Sequence, residues 1–483
     1  MRILFWFRKD LRLADNLGLH EAARDAAGEV VPFHTTESAP ARRATANTAA
    51  GSDAVAPAQE RFTRDSLADL AGAVERAGSR LALDHAPALE AVPRAARLAR
   101  ADAVYWNDEY EPALERRDDE VERALRAKGL AVRRFHDRLL VPPGAVLTKT
   151  GTPFVVYTAF RRACEVLPLG SPLPAVRRLA PHDLPASSLE PPAPGGALEQ
   201  WPGGGAAARK RLARFIRHGL ARYATERDSL AADVISRLST DLRTGTLSPR
   251  TVAAAVLREA RTAPRDRTLA ASAEKFVAEL RWRDFYAHVL HHFPHCESGS
   301  FRREYDRIRW SGDPEHLDAW RAGRTGYPIV DAAMRELLAT GFMHNRARMI
   351  VASFLTKDLL LDWRLGERHF MRHLVDGDLA SNNGGWQWAA GTGTDAQPFF
   401  RIFNPVLQGQ RFDPEGAYVR RWVPELERLP ARWIHRPWEA PTRVREEAGV
   451  RLGAGYPERI VEHEEQRETA LAMYRAGRGS GGS

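Results

Sequence analysis

The pattern of apolar residues changes once along this chain, near residue 209. Before that point, short apolar runs alternate with Ala-, Arg- and Glu-rich stretches of helical periodicity. Strands that alternate with helices predict an α/β domain with a parallel, Rossmann-like sheet. The strands are predicted at Met1–Phe7, Val30–His34, Ala101–Trp106 and Ala131–Arg134, and the clearest helices at Arg64–Gly78 and Glu115–Lys128.

The second part of the chain has a different composition. From residue 209 onward the periodicity is helical and Trp, Phe and His are frequent, which predicts an all-α domain. Between the two parts, Leu167–Gly205 is too rich in proline and glycine to pack a core of its own. Because 483 residues exceed the usual size of a single core, we expect an α/β domain over 1–135, a linker over 136–208 and a helical domain over 209–483.

Charge and cysteine content narrow the possible functions. The formal net charge is +9, and the excess of basic residues lies entirely after residue 200. A basic helical domain suits a surface that follows nucleic-acid phosphates, although ordinary solubility charge gives the same balance. Cys164 and Cys296 lack metal-type spacing, so neither a disulfide framework nor a metal site is expected. With no long apolar run and with charges among the first residues, we expect a cytoplasmic protein outside the membrane.

Three motifs make the sequence specific. The helical part contains GYPIVDAAMRELLATGFMHNRARMIVASFLTKDLLLDWRLGERHF and DGDLASNNGGWQWAAGTGTDAQPFFRIFNP, and the N-terminal part contains WFRKDLRLADN. Together they resemble the photolyase/cryptochrome family, and within it the class I cyclobutane pyrimidine dimer (CPD) DNA photolyases. The resemblance implies an α/β antenna domain followed by a helical domain that binds FAD and damaged DNA. It also implies a light-dependent carbon–carbon lyase, in which excited reduced FAD passes an electron to a flipped-out dimer.

Glu279, Trp282 and Arg283 are candidate contacts to the DNA substrate. Their spacing places them on one face of a predicted helix. The carboxyl group can hydrogen-bond to a base, the indole can stack on one, and the guanidinium can neutralise a phosphate. From the residues alone, an internal ion pair on an amphipathic helix explains the same pattern. The resemblance implies further DNA contacts at Arg227, Arg346 and Trp388.

Asn345 and Met349 lie four residues apart on another predicted helix. Photolyases for (6-4) photoproducts resemble this segment but carry histidines at both positions. An imidazole supplies the acid that transfer of an oxygen substituent needs, and opening a cyclobutane ring needs no such acid. The amide and the thioether therefore favour CPD repair over (6-4) repair, although a single methionine is more often core packing.

Asn382 matches the position that the family places beside the flavin N5. Plant cryptochromes resemble this segment but carry an aspartate there, which can protonate the flavin. Asparagine donates no proton readily, so the resemblance favours the reduced, anionic FAD of a photolyase over a cryptochrome-type blue-light photoreceptor, which stays the main alternative. From the residues alone, Asn383-Gly384 is a strong turn signal, and Asn382 would then lead into a turn.

Trp310, Trp363 and Trp386 match the family's chain of tryptophans, which carries an electron from the protein surface to the excited flavin. Each of them alone is more often core packing. Ile235 departs from the family pattern, which usually has threonine there, so one hydroxyl contact to FAD is expected to be missing. The resemblance implies further FAD contacts at Tyr223, Ser236, Arg237, Leu238, Ser239, Arg348, Asp376 and Asp378.

The second, light-harvesting chromophore of the family stays open. Glu111 matches a carboxylate that contacts folate, but Glu297 stands where folate-binding relatives carry a lysine. A folate and a deazaflavin are both possible antennas. The family precedent is a monomer, and damaged DNA is the expected partner.

Overall fold

A computed structural model describes residues 1–36, 57–185, 200–395 and 398–478. The chain divides into two compact units. The first unit comprises Met1–Ala224 and Val234–Pro294, and the second comprises Thr225–Asp233 and His295–Ser483. The first unit extends past the predicted domain boundaries at 135 and 208. These boundaries stay predictions.

The first unit begins with a parallel sheet, which confirms the α/β prediction. The strand order is β3-β2-β1-β4-β5, and Ile3 of the central strand lies opposite Val30 on one side and Ala103 on the other. Parallel strands buried on both faces read as apolar runs, and for this reason three of the four predicted strands could be found; the fourth, at the sheet edge, is exposed at Ala131 and Arg133. The strands are β1 (Ile3–Phe7), β2 (Val30–Thr35), β3 (Ala82–Asp84), β4 (Ala103–Asn107) and β5 (Ala131–Phe135).

Helices cover both faces of this sheet. Along β1, Phe5 packs on one face with Leu19 and Leu70, whereas Trp6 packs on the other face with Val92. This alternation follows from the two-residue period of a strand. The helices are α1 (Leu17–Asp25) and α2 (Pro57–Arg76) on the first face, and α3 (Ala88–Leu98) and α4 (Pro112–Arg126) on the second.

The predicted linker packs on the α/β layer. Within the described residues, no named helix or strand lies between Glu165 and Gly205. The Leu179 N–H nevertheless donates to the Ala77 carbonyl and the Ala180 N–H to the Val30 carbonyl, and both side chains are buried. The segment therefore forms no core of its own, and its buried residues pack into the core around the sheet.

Helices complete the first unit. Phe215 and Phe276 meet with ring centroids 4.6 Å apart and, with Val252 and Val256, form one apolar cluster. These helices are α5 (Tyr157–Glu165), α6 (Gly205–His218), α7 (Tyr223–Glu226, which crosses into the second unit), α8 (Ser239–Thr244), α9 (Pro249–Thr262) and α10 (Arg267–His292).

The second unit is helical throughout its named elements, which confirms the all-α prediction. Its core contains the fully buried Trp320, Tyr327 and Trp363. A π-helical turn, Phe354–Asp358, follows α13. The helices are α11 (Pro314–Arg321), α12 (Pro328–Thr340), α13 (Asn345–Ser353), α14 (Trp363–His373), α15 (Leu379–Ala390), α16 (Pro405–Phe412), α17 (Ala417–Trp422), α18 (Ala431–Ile434), α19 (Thr442–Ala448) and α20 (His463–Arg478).

None of the helices among the described residues combines the length and the apolar character that crossing a membrane requires.

Candidate functional site

The helix α15 carries the most unusual of the sequence motifs. Asp378 caps it, because its Oδ1 accepts from the Ser381 N–H at 3.0 Å, and Gly391 ends it in the left-handed region with φ of +80°. The helix runs without a break through Asn383 and Gly384. The interpretation of this dipeptide as a turn is therefore wrong: two strong caps outweigh the local turn signal.

Asn382 is fixed within α15. Its side-chain amide donates to the Glu367 carbonyl at 3.0 Å, and the residue is buried. This hydrogen bond fixes the orientation of the amide, because Nδ2 donates to a backbone group of the protein. Its place beside a flavin stays a prediction.

A buried amide network extends from the next residue of α15, and sequence reasoning missed it. The Asn383 amide donates to the Cys296 carbonyl at 2.9 Å and to the Glu367 carboxylate at 3.3 Å. Gln387 lies four residues on and donates to Asn383 Oδ1 at 3.0 Å. The four-residue spacing of the two amides was the available signal, because such pairs meet on one helix face.

Arg348 and Asp376, both predicted as FAD contacts, form an ion pair with each other. The Arg348 guanidinium meets both Asp376 oxygens, at 2.9 and 3.0 Å, and also donates to the Met343 carbonyl at 2.8 Å. Both contacts come from Nη2, and the Asp376 side chain is only 3% exposed, so these charge-assisted hydrogen bonds are strong. Asp378, by contrast, has the role of the α15 cap described above.

Asn345 and Met349 share one face of α13, as their spacing predicts. Asn345 is the first residue of the helix and is exposed, Met349 is half-buried, and Asn345 Nδ2 lies 3.9 Å from Met349 Sδ. His344 caps this helix by accepting from the Arg346 N–H at 3.0 Å. Burial lowers the pKa of His344 to about 4, which keeps the ring neutral and able to accept.

The remaining basic candidates of the second unit lie at the start of α13 and before α8. The Arg346 guanidinium pairs with Asp228 at 2.9 Å and lies over the Phe412 ring at 4.4 Å. Arg227 is adjacent in sequence to that aspartate and is half-buried. Contacts of either residue with DNA stay predictions.

The three predicted electron-transfer tryptophans differ in burial. Trp363 is 0% and Trp386 2% exposed, whereas Trp310 is half-buried beside Tyr474, with ring centroids 6.0 Å apart. Gly366 of α14 lies directly under the Trp386 ring, where a Cβ would overlap the indole. A series from interior to surface suits an electron path, and the path itself stays a prediction. Trp388, the predicted substrate stack, is half-buried against the same core.

His369 of α14 makes the stability of this region depend on pH. It is 6% exposed against Trp320, and burial, then the charges of His373 and nearby arginines, lower its pKa to about 3. The unfolded chain takes up a proton below about pH 6.5 and the folded chain does not, so stability is lost as the pH falls from 6.5 towards 3.

We expect His369→Phe to remove about 2 kcal/mol of the stability difference between pH 7 and pH 5. Urea unfolding midpoints at the two pH values measure this, with His218→Gln at an exposed histidine as the control. If the unfolding midpoint of His369→Phe fell between pH 7 and pH 5 by as much as that of the wild type, the result would contradict the assignment.

In the first unit, α10 carries the three predicted substrate residues. The Glu279 carboxylate lies 3.4 Å from the Lys275 ammonium, and the Trp282 indole is half-buried. The Arg283 guanidinium donates to the backbone carbonyls of Arg138 at 2.6 Å and Leu242 at 3.1 Å. Arg283 therefore ties α10 to its own unit, and its phosphate contact stays a prediction.

The segment before α8 contains a non-glycine residue in the left-handed region. Arg237 has φ of +53° in the left-handed region, and Leu238 follows in the right-handed region and donates its N–H to Ser236 Oγ at 3.3 Å. Backbone strain at a non-glycine residue is frequent at binding sites, and the contact of this segment with a phosphate stays a prediction. Ser239, one of the predicted FAD contacts, is the first residue of α8. Tyr223 is buried by Phe276 at 5.3 Å.

The antenna candidate Glu111 precedes α4 and pairs with Lys9. This ion pair gives its carboxylate a structural role, and the contact with a chromophore stays a prediction.

Comparison with known proteins decides the family. A family model described as DNA photolyase matches residues 3–178, and a model described as the FAD binding domain of DNA photolyase matches residues 276–476. The chain belongs to the DNA photolyase family. As a member of this family with its FAD binding domain, it is a flavoprotein.

Individual members of the DNA photolyase family match the whole chain. It is 41% identical to the deoxyribodipyrimidine photo-lyase of Escherichia coli, over 98% of both chains. The structure of a bacterial class III photolyase from Agrobacterium tumefaciens has a TM-score of 0.89 at 42% identity, and covers 99% of this chain and 98% of its own. The Synechocystis cryptochrome structure has a TM-score of 0.87 at 30% identity, and covers 98% of this chain and 99% of its own.

Proposed function

We propose that this chain repairs cyclobutane pyrimidine dimers in DNA in a light-dependent reaction with reduced FAD. The observation that carries the proposal is the Asn345–Met349 pair, which places an amide and a thioether together on an exposed helix face without an imidazole at either position. Full-length identity of 41% to a deoxyribodipyrimidine photo-lyase supports the same substrate.

The residues that would hold FAD are those predicted from the resemblance. Backbone N–H groups and hydroxyls of Ser236–Ser239, with Tyr223, suit the phosphates and ribose. Arg348, held by Asp376, places a positive charge that favours an anionic flavin, and Asn382 offers a polar side chain without a labile proton. When bound, reduced FAD that absorbs light supplies the electron that opens the cyclobutane ring, and recovers it afterwards.

This chain's own residues bind and orient the dimer. The Trp282 indole offers a stacking surface to an everted pyrimidine pair, as Trp388 does, and the Glu279 carboxyl group and the Asn345 amide offer hydrogen bonds to the bases. Because light supplies the driving force, the protein contributes positioning and a fixed polar environment.

We expect binding to DNA to weaken with salt in proportion to the phosphates neutralised. Arg346→Gln should weaken binding to damaged and undamaged duplexes alike. It should also reduce the slope of the logarithm of the binding constant against the logarithm of the salt concentration by about 0.9. The control is Arg443→Gln, since the Arg443 side chain is 88% exposed in a surface pair with Glu447. A salt slope that Arg346→Gln leaves unchanged would remove this residue from the DNA contacts.

A cryptochrome-type photoreceptor is the second candidate, because a cryptochrome structure matches the fold at 30% identity. Repair of two oligonucleotides, one with a CPD and one with a (6-4) photoproduct, in light and in darkness, separates the candidates. We expect loss of the CPD in light only. Loss of the (6-4) product, or no loss of either, would favour the alternatives.

We further propose that the protein acts as a monomer in the cytoplasm, with an antenna chromophore still to be identified. Two buried cysteines without a disulfide, Cys164 and Cys296, support a reducing compartment. Sedimentation and the absorption spectrum of freshly purified protein test the oligomeric state and the antenna.

A further inference from the structure

The indole of Trp282 has an aromatic partner on another helix of the same unit. Tyr157, the first residue of α5, stacks on it with ring centroids 3.7 Å apart and an interplanar angle of 14°. Tyr157 is buried, whereas Trp282 is half-buried. A parallel ring covers one face of the indole, so a base can stack on Trp282 only from the opposite face.

The hydroxyl group of Tyr157 makes a second contact with α10. It donates to the Ala278 carbonyl at 2.5 Å. In an α-helix each carbonyl accepts from the N–H four residues on, so this carbonyl belongs to the turn that contains Glu279 and ends at Trp282. Burial, and then the charge of the Glu279 carboxylate, raise the pKa of Tyr157, so its hydroxyl stays a donor at neutral pH.

The stack lies at the protein surface. Val155 and Val156, immediately before α5, are 39% and 45% exposed. Exposed apolar side chains next to a half-buried indole provide contact area for the ring faces of an everted pyrimidine pair. Phe285 and Tyr286 also contact the Trp282 ring, but at interplanar angles of 81° and 38°, so Tyr157 supplies the parallel face.

We propose that Tyr157 is a positioning residue for the dimer: its ring fixes the plane of the Trp282 indole, and its hydroxyl group holds the α10 turn that carries Glu279. The inference rests on the proposed function, because it takes Trp282 and Glu279 as contacts to the dimer. Tyr157 acts through these two residues and need not touch DNA itself. An indole that is already held in one orientation loses less side-chain freedom on binding, and affinity rises accordingly.

Three variants of the FAD-loaded protein test the proposal. Tyr157→Leu removes the stack and the hydrogen bond, and Tyr157→Phe keeps the ring alone. Phe160→Leu is the matched control, because Phe160 packs from the same helix against Phe285 and His288 of α10. Affinities for a duplex with one CPD and for the same undamaged duplex are measured in darkness.

We expect Tyr157→Leu to weaken dimer binding about tenfold and to leave undamaged DNA unaffected. Tyr157→Phe, which loses only the hydrogen bond to the α10 turn, is expected to weaken dimer binding about threefold, and Phe160→Leu to stay within about twofold of the wild type. Equal losses for damaged and undamaged DNA, or an unchanged dimer affinity in Tyr157→Leu, would overturn the proposal. Should Tyr157→Leu fail to fold, Tyr157→Met has an unbranched side chain that adapts better to the space left by the ring, and it carries the same expectations.

A double substitution distinguishes positioning from general stability. In a Trp282→Leu background, Tyr157→Leu is expected to weaken dimer binding only about threefold further, because the indole that its ring positions is gone and only the hydrogen bond to the α10 turn is still to be lost. A further tenfold loss in that background would overturn the proposal. Wild-type protein that bound damaged and undamaged duplexes equally would contradict the proposed function instead, so the two failures are distinguishable.

Discussion

Glu279→Ala is expected to lower light-dependent repair about ten- to a hundredfold while the protein keeps its FAD, because a hydrogen bond to a charged group contributes about 1.5–3 kcal/mol. The Glu279 side chain is 26% exposed on α10, where a base can reach it. None of the residues assigned to FAD is replaced, so the flavin spectrum should not change. The rate of dimer loss at limiting substrate, with flavin per protein measured alongside, checks the expectation.

Lys275→Ala is the matched control for this variant. It removes the ion-pair partner of Glu279, 3.4 Å away and four residues earlier on the helix surface, and such pairs contribute only a few tenths of a kcal/mol. If Glu279 served that pair alone, both variants would have the same small effect on repair. That outcome would favour the interpretation in which Glu279 only forms an ion pair on an amphipathic helix.

We expect Trp386→Phe to abolish nearly all light-driven reduction of the oxidised flavin while repair by chemically reduced protein continues. The Trp386 indole is 2% exposed on α15, four residues after Asn382, and phenylalanine lacks its readily oxidised ring. The Trp386 Nε1 has no hydrogen-bond partner among the residues that the structure describes, so the substitution leaves no polar group unpaired. Bleaching of the oxidised flavin under illumination with an external reductant measures the effect.

Trp106→Phe is the control for the electron path. Trp106 is 0% exposed in the α/β layer, and its Nε1 likewise lacks a partner within the described part of the chain. The two substitutions therefore have similar packing costs, and only Trp386 belongs to the predicted path. Equal bleaching rates in Trp386→Phe and the wild type would remove Trp386 from that path.

Most of the fold could be predicted from the sequence because the periodicities were unambiguous. Strands β1, β2 and β4 are buried on both faces and read as apolar runs, whereas the edge strand β5 is exposed at Ala131 and Arg133. Strand β3 has three residues, too few to show a period, and it was not predicted. The buried Leu179 shows the converse case: its proline-rich surroundings predicted a linker, and only the neighbouring sheet gives it a core.

The site could be predicted as residues but not as contacts. Spacing placed Asn345 with Met349 on one face of α13, and the structure brings them together. Spacing alone could not show that Arg283 donates to the carbonyl of Arg138, or that Tyr157 stacks on Trp282, since these pairs are more than a hundred residues apart. A helix period reveals which side chains share a face, and tertiary packing decides what that face meets.

The most direct test follows the dimer and the flavin in one sample. Purified protein, with its FAD chemically reduced under anaerobic conditions, is mixed with an excess of a CPD oligonucleotide and illuminated, with a dark sample in parallel. We predict that each protein molecule splits many dimers in light, that none are split in darkness, and that the flavin stays reduced without further reductant. Dimer loss that stops at one per flavin, that proceeds equally in darkness, or that does not occur would contradict light-driven repair by this chain.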